Sequence, residues 1–218
     1  MWREIRYLIA KDLKLDFRQR YAIFATLLYA VSTTYLSYFI FRETSLNRLS
    51  WVALYWIITI FSALSSATRS FSAESQNRFW YYAQLVRPSS MILAKMIYNS
   101  ILLVIIGVFT YGLFTFLLGN PIIDNLQMLV VVIIGTVGFS TTLTLLSAIS
   151  AKTNNNTVLI AVLSIPLMLP LTILLVRASH VASLGMNWGE NTYLIFLLLF
   201  SSLTGILSFI LYPQIWRE

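Results

Sequence analysis

The sequence lacks cysteine altogether and contains one histidine, His180, in 218 residues. Without cysteine the chain cannot form a disulfide, hold a thiolate-bound cluster or use a thiol nucleophile. A lone histidine also excludes a metal site that needs several histidines from this chain. The sequence further lacks a G-x-x-x-x-G-K motif, the glycine-rich loop whose backbone cradles nucleotide phosphates. If the chain takes part in active transport, the energy must come from a partner.

Charged residues are also scarce. They make up 11% of the chain, hydrophobic residues make up 58%, and the mean hydropathy is +0.78, whereas soluble domains carry about 25% charged residues. This composition predicts an all-α integral membrane protein in contact with the lipid bilayer. The net charge is +7, and the first twenty positions hold six of the fifteen basic residues. That clustering suits an anionic lipid leaflet, and we expect no nucleic-acid partner.

Six apolar runs are each long enough to cross a hydrocarbon core, which takes about 20 helical residues. None of them holds an Asp, Glu, Lys, Arg or His. This argues against an ion-coupled carrier and against an enzyme with catalytic groups in the membrane. Residues 21–218 are therefore predicted to form one domain of six transmembrane helices. The predicted spans are Tyr21–Phe41, Leu49–Thr68, Met96–Leu118, Leu126–Ser150, Val158–Val176 and Tyr193–Tyr212.

Residues 1–20 precede the first span and have an amphipathic pattern. Trp2, Ile5 and Leu8 follow helical spacing, and basic residues occupy many of the other positions. This pattern predicts an interfacial helix that lies flat in the lipid headgroup region. A signal peptide is the competing interpretation. The apolar run that follows has 21 residues, which is too long for a signal core, so we expect the N-terminus to be retained.

The basic residues also predict the orientation of the chain. The segments on the N-terminal side of the membrane hold twelve of them, whereas the opposite loops hold three, Arg42, Arg48 and Arg177. Cytoplasmic loops carry an excess of Lys and Arg. Both termini are therefore predicted to be cytoplasmic, and residues 177–192 are predicted to form a periplasmic loop.

A polar segment, residues 69–95, lies between the second and third spans on the predicted cytoplasmic side. Phe71, Phe79 and Tyr82 recur at helical spacings and give one face aromatic bulk, and Pro88 ends the pattern because it lacks a backbone donor. Such a helix either lies in the lipid interface or is bound by another protein, and we favour binding. The residues expected to contact that protein are Arg69, Glu74, Arg78, Phe79, Tyr82 and Arg87.

The fourth and fifth spans carry different signals. Small residues such as Gly135, Gly138 and Ser147 predict that the fourth span packs closely against its neighbours, with a substrate path as the alternative. In the fifth span, Pro166 and Pro170 each remove one backbone hydrogen bond and bend the helix. The bend is either purely structural or a gating element, and both interpretations stay open.

Four segments carry a resemblance to a known family. They are KDLKLDFRQR before the first span, Arg69-Ser-Phe with Glu74 five residues on, Pro88 followed by Ala94-Lys95, and IPLMLPL at residues 165–171. Together these segments, which are spread over most of the chain, resemble the CcmB family, the membrane subunits of the cytochrome c maturation ABC transporter.

The resemblance implies an ABC-2 type permease of the bacterial inner membrane with no ATPase of its own. The implied partners are a CcmA-like ATPase that holds a cytoplasmic coupling helix within residues 69–95, a CcmC-like heme-handling membrane subunit and a CcmE-like heme chaperone. Heme is the implied substrate, and no cofactor is expected on this chain. ATP would serve either to carry heme or to release the heme-loaded chaperone. The alternatives are an ABC-2 permease for a lipid or polysaccharide and a non-transporting membrane scaffold.

Arg177, His180 and Trp188 in the predicted periplasmic loop are the residues that can meet heme or a heme-loaded partner. Arg177 can pair with a propionate, and Trp188 can stack on the porphyrin ring. A single histidine can be an axial ligand of heme iron. Because this chain has no second histidine to complete a six-coordinate iron, we expect ligation of the iron to fall on partners.

Overall fold

The computed structural model describes residues 2–18, 21–43, 46–72, 87–150 and 156–217. Within these ranges the backbone forms seven α-helices and a short 3-10 helix, Trp188–Glu190, and no strand. Helices α2 to α7 are long and apolar enough to cross a membrane, which confirms the predicted all-α fold with six spans. The α-helices are α1 (Trp2–Arg18), α2 (Tyr21–Phe41), α3 (Arg48–Ser72), α4 (Pro88–Leu118), α5 (Asn125–Ser150), α6 (Asn156–Leu184) and α7 (Thr192–Arg217).

The centre of the bundle is α5, which packs against α3, α4, α6 and α7. Its small residues permit this close packing, because a Cβ added at Gly138 would lie only 2.6 Å from the Ser201 hydroxyl oxygen of α7. The packing role predicted for this span is therefore confirmed. In contrast, most of α2 and α7 is left uncovered by the rest of the chain, as is usual for helices that contact lipid.

The third predicted span begins earlier than its composition suggested. Residues 88–95 belong to α4, which starts at Pro88 rather than at Met96. A proline suits the first helical position because the backbone N–H it lacks would have no helical partner there. Arg87 is the N-cap residue of α4, and its backbone is extended, with φ −66° and ψ 134°. The helix also includes Lys95, which is only 4% exposed, so the absence of charged residues holds for the predicted span and not for the whole helix.

The fifth span is also longer than predicted. Helix α6 continues through Pro166 and Pro170 and on to Leu184, so residues 177–184 are helical and not part of a loop. The polar residues of 177–184 suggested a loop. The small residues of this stretch, however, recur at helical spacing and are buried in the bundle. They are Ala178, Ser179, Ala182 and Ser183. The chain leaves α6 at Gly185, whose positive φ of 67° is the conformation that favours glycine after a helix.

One face of helix α1 packs against the bundle. Ile5 and Leu8 on its apolar face are buried in a cluster with Ala94 at the start of α4. Trp2 and Tyr7 are each 77% exposed, so the amphipathic helix keeps aromatic residues that are free to enter a lipid interface. We call the end of the bundle that holds this contact the base, and the end that holds residues 119–124 and 185–191 the top.

Candidate functional site

The first candidate site is the contact of α1 with the start of α4 at the base. The Ser90 hydroxyl donates a hydrogen bond to Glu4 Oε2 over 2.8 Å. This hydrogen bond, together with the positive charge of Arg87, holds the pKa of the Glu4 carboxyl below its usual value. The carboxylate therefore stays ionised at neutral pH, and its contribution to the contact is lost as the pH falls through that lowered pKa. The end of the polar segment is thus fixed to the N-terminal helix.

The residues predicted to bind an ATPase fall partly within the described structure. Arg69 lies in the last turn of α3, and Arg87 is the exposed residue that precedes α4. The remaining four, Glu74, Arg78, Phe79 and Tyr82, lie outside the described residues. Because α3 reaches Ser72 and α4 begins at Pro88, only residues 73–87 connect the two helices.

Polar side chains join the helices in the base half of the bundle. The Asn99 amide of α4 donates to Thr144 Oγ1 of α5 over 2.9 Å, and the hydroxyls of Thr141 and Thr204 are 2.9 Å apart between α5 and α7. Each of these side chains is buried. Hydrogen bonds between membrane helices contribute about 0.6 kcal/mol on average, so this network stabilises the arrangement of α4, α5 and α7.

Sequence reasoning missed Asn99 and Lys95 as buried polar residues. A signal for Asn99 was present, since it is the only asparagine in the apolar run Met96–Leu118, and an amide at that depth needs a partner. Lys95 gave no such signal, because it stood at the edge of a polar segment. Its burial follows from the packing of α1 and the other helices around the first turns of α4.

The top half of the bundle is filled by aromatic rings. Trp51 and Tyr55 of α3 stack with ring centroids 6.1 Å apart, and Phe114 of α4 meets Trp51 edge-on at 5.3 Å. The polar groups of Trp51 and Tyr55 form hydrogen bonds inside the bundle. The Trp51 indole donates to the Gly119 carbonyl over 3.1 Å, and the Tyr55 hydroxyl donates to the Gly107 carbonyl over 3.1 Å. This cluster is therefore part of the core.

Asp124 connects three segments at the top. Its Oδ1 accepts the backbone N–H of Gln127 over 2.9 Å and so caps α5. Its Oδ2 accepts the indole N–H of Trp188 over 3.0 Å, and its own backbone N–H donates to the Ala182 carbonyl of α6 over 3.2 Å. The two top loops are thus held to each other and to the end of α6.

The structure places the three predicted heme or partner residues near this end. Arg177 and His180 lie one turn apart in the last part of α6, and Arg177 is exposed whereas His180 is partly buried. Trp188 is 44% exposed, so part of its ring stays accessible although its N–H is bound to Asp124. Among the described residues, no three His, Cys, Asp or Glu side chains come together as a metal site would require.

The two prolines of α6 both lie on its uncovered side. They are four residues apart, so they occupy the same face of the helix. The described structure therefore shows the candidate gating residues at the surface of the bundle and not in its core.

The chain matches the model of a known protein family over most of its length. The family model described as CcmB protein matches residues 3–211, a range that includes nearly all of α1, the first five spans, most of the sixth and the polar segment between α3 and α4. No curated protein matches the chain significantly.

Proposed function

Because the chain belongs to the CcmB family, we propose that it is the membrane permease subunit of an ABC transporter that serves heme export and cytochrome c biogenesis. The observation that carries this proposal is the family match over residues 3–211, together with the six candidate spans. The chain has no phosphate-binding loop of its own, so the energy comes from a separate ATPase subunit. We place it in the bacterial inner membrane with both termini in the cytoplasm.

The connection between α3 and α4 is the proposed docking site of a CcmA-like ATPase. Two features support this site. The connection joins two spans directly, and its last residue, Arg87, precedes the turn in which Ser90 binds Glu4. A displacement of the connection by the ATPase would therefore act on α3, on α4 and, through Glu4, on α1. Phe79 and Tyr82 would fill an apolar groove of the ATPase, and Arg69, Glu74, Arg78 and Arg87 would supply charged contacts.

Heme handling in this proposal is shared with other subunits. The single histidine is partly buried in α6, so iron ligation falls on a CcmC-like membrane subunit and a CcmE-like chaperone. Arg177 and Trp188 form a contact surface for the heme-loaded partner, through propionate pairing and ring stacking. Pro166 and Pro170 are the proposed points at which α6 bends during the cycle. ATP hydrolysis then drives either heme transfer or release of the loaded chaperone.

The docking site is tested by replacing Phe79 and Tyr82 with alanine in the full complex. We expect the ATPase subunit to be lost from the purified membrane complex, because aromatic anchors at interface centres typically contribute about 2 kcal/mol or more each. The measurement is the amount of ATPase that copurifies with the tagged chain in mild detergent, with thermal stability of the chain recorded in parallel.

Phe116→Ala provides the matched control, since this aromatic residue is 85% exposed near the top end of α4. It should retain the ATPase fully. Retention of the ATPase by the double variant at the level of the unsubstituted chain would show that residues 73–87 only anchor the protein at the lipid interface. Loss of the ATPase without any effect on c-type cytochromes would favour a permease for another cargo or a scaffold.

A further inference from the structure

Two amide side chains near the top of the bundle have buried polar atoms with no hydrogen-bond partner among the described residues. Gln127 of α5 is 0% exposed, and neither its Nε2 nor its Oε1 is hydrogen-bonded. Asn191 is 2% exposed. Its Nδ2 donates to the Ala178 carbonyl of α6 over 3.1 Å, whereas its Oδ1 accepts no hydrogen bond. One amide donor and two amide oxygens are therefore withdrawn from solvent without a partner, which costs free energy.

Hydrogen bonds to α6 place the two amides at the same height in the bundle. Asp124, one turn before Gln127, donates its backbone N–H to the Ala182 carbonyl. Ala182 lies about one turn after Ala178 in α6, and the Ala178 carbonyl is the one that accepts the Asn191 amide. One turn inward from the contact of Asp124 with Ala182, the chain therefore has Gln127 on α5 and Ala178 on α6.

The helical register also points the Gln127 side chain toward α7. Gly138 follows Gln127 by eleven residues, close to three full turns, so the two residues lie on the same face of α5. That face contacts α7, because a Cβ added at Gly138 would lie 2.6 Å from the Ser201 hydroxyl oxygen. Both α5 and α7 run from top to base, and Asn191 precedes Ser201 by ten residues. The two amides therefore meet at the junction of α5, α6 and α7.

Other groups around this junction are already engaged or apolar. The Asp124 carboxylate accepts two N–H groups, and the side chains of Ala178 and Ala182 have no polar atom. The α6 hydroxyls of this stretch form other bonds, since Ser179 accepts an indole N–H from α3 and Ser183 donates to the carbonyl three residues before it. In the described part of the chain, the partner that the amides need is therefore a small ligand.

Water is the ligand that fits this set of atoms. The burial of both amides leaves no room for a bulky ligand, and the ligand has to donate to two oxygens and accept from an NH2 group. Water does both, and buried waters typically make about three hydrogen bonds to polar groups that lack other partners. The position also suits water, because Gln127 is the third residue of α5 and Asn191 directly precedes α7, close to the ends of these spans.

We propose that ordered water at the junction of α5, α6 and α7 bridges Gln127 and Asn191. It donates to Gln127 Oε1 and Asn191 Oδ1 and accepts from Gln127 Nε2. Because the oxygen and the nitrogen of one amide point in different directions, the site holds at least two waters. They join α5 to the start of α7 beneath the loop that carries Trp188, since the Asn191 backbone N–H donates to the Trp188 carbonyl over 3.2 Å. This inference goes beyond the proposed function and depends on neither the ATPase nor the cargo.

Nuclear magnetic resonance of the full chain in lipid nanodiscs tests the proposal. In a chain labelled with 15N-glutamine, the side-chain NH2 signals of Gln127 are those that are missing from Gln127→Met, a substitution of similar shape. We expect these signals to show cross-peaks to water with opposite signs in NOESY and ROESY spectra, which identifies a dipolar contact with bound water. Gln214 of α7 is the matched control, because its side chain is exposed at the base and should show only chemical exchange with bulk water.

Two results from the unsubstituted chain would overturn the proposal. One is the absence of a dipolar cross-peak between Gln127 and water. The other is a direct contact between the Gln127 NH2 group and the Asn191 side chain, which would mean that the two amides pair with each other.

Asn191→Leu tests the bridge itself, since it removes the Oδ1 acceptor. We expect the cross-peak between Gln127 and water to fall by about twofold or more, because one of about three hydrogen bonds to the water is lost. The melting temperature of the variant in detergent is recorded in parallel. An unchanged cross-peak in a folded variant would show that the water does not bridge and would overturn the proposal. If the variant does not fold, the cross-peaks of the unsubstituted chain decide.

Discussion

At the scale of single residues, Asp124 does the most to organise the top of the bundle. One of its oxygens caps α5 and the other holds the Trp188 indole. Trp188 is also one of the proposed contacts with a heme-loaded partner, so the same carboxylate that stabilises a helix positions a candidate functional ring. The cap is local, since Asp124 stands directly before α5 and Asp is a preferred capping residue. The bond to Trp188 could not be predicted from the sequence, because residues 124 and 188 are far apart in the chain and only the packing of α5 against α6 brings them together.

We predict that Asp124→Ala destabilises the chain by about 1–2 kcal/mol, since it removes a helix cap and an exposed hydrogen bond. The measurement is the free energy of unfolding, or the melting temperature in detergent. Asp124→Asn keeps an acceptor that can cap α5 and should lose less than half as much. Equal losses in the two variants would mean that the negative charge, and not the cap, stabilises this corner.

At the scale of helices, the positions of the elements were predictable and several of their ends were not. The six apolar runs gave the six spans, since a hydrocarbon core requires that length. The start of α4 was misplaced because Ser90 and Lys95 are polar in sequence yet are buried in the structure. The end of α6 was misplaced because Ala178 and Ala182 look like loop residues until their helical spacing places them in the core.

The close packing of α5 leads to a prediction about its glycines. A Cβ at Gly135 would lie 2.8 Å from Trp56 Cη2 and would also clash with Leu175. Gly135→Ala should therefore destabilise the bundle by about 1–3 kcal/mol, the usual penalty for overpacking. Gly112→Ala in α4 is the matched control, because no atom lies within 4 Å of its added Cβ. It should be neutral or slightly stabilising. Equal melting temperatures of the two variants would contradict the packing described for α5.

At the scale of the whole molecule, the described structure has two different halves. Aromatic rings fill the top between α3 and α4, where the Trp56 indole also donates to the Ser179 hydroxyl of α6. Toward the base, buried hydroxyl and amide groups connect α4, α5 and α7. The base also holds the contact of α1 with α4, next to the connection proposed to bind the ATPase. This arrangement suits the proposed role, in which the ATPase displaces the connection at the base and the displacement is transmitted through the connected helices. The sequence predicted the amphipathic α1 and the polar connection, but the Glu4–Ser90 bond that joins them needed the structure.

This chain is proposed to couple ATP hydrolysis by a partner to cytochrome c maturation, and the most direct test is the content of c-type cytochromes in cells that lack the chain. These cells should contain none by heme staining of denaturing gels. Wild-type chain should restore the cytochromes, and the Phe79→Ala/Tyr82→Ala variant should not, although it reaches the membrane at normal levels. A normal content of c-type cytochromes in cells without the chain would contradict the claim.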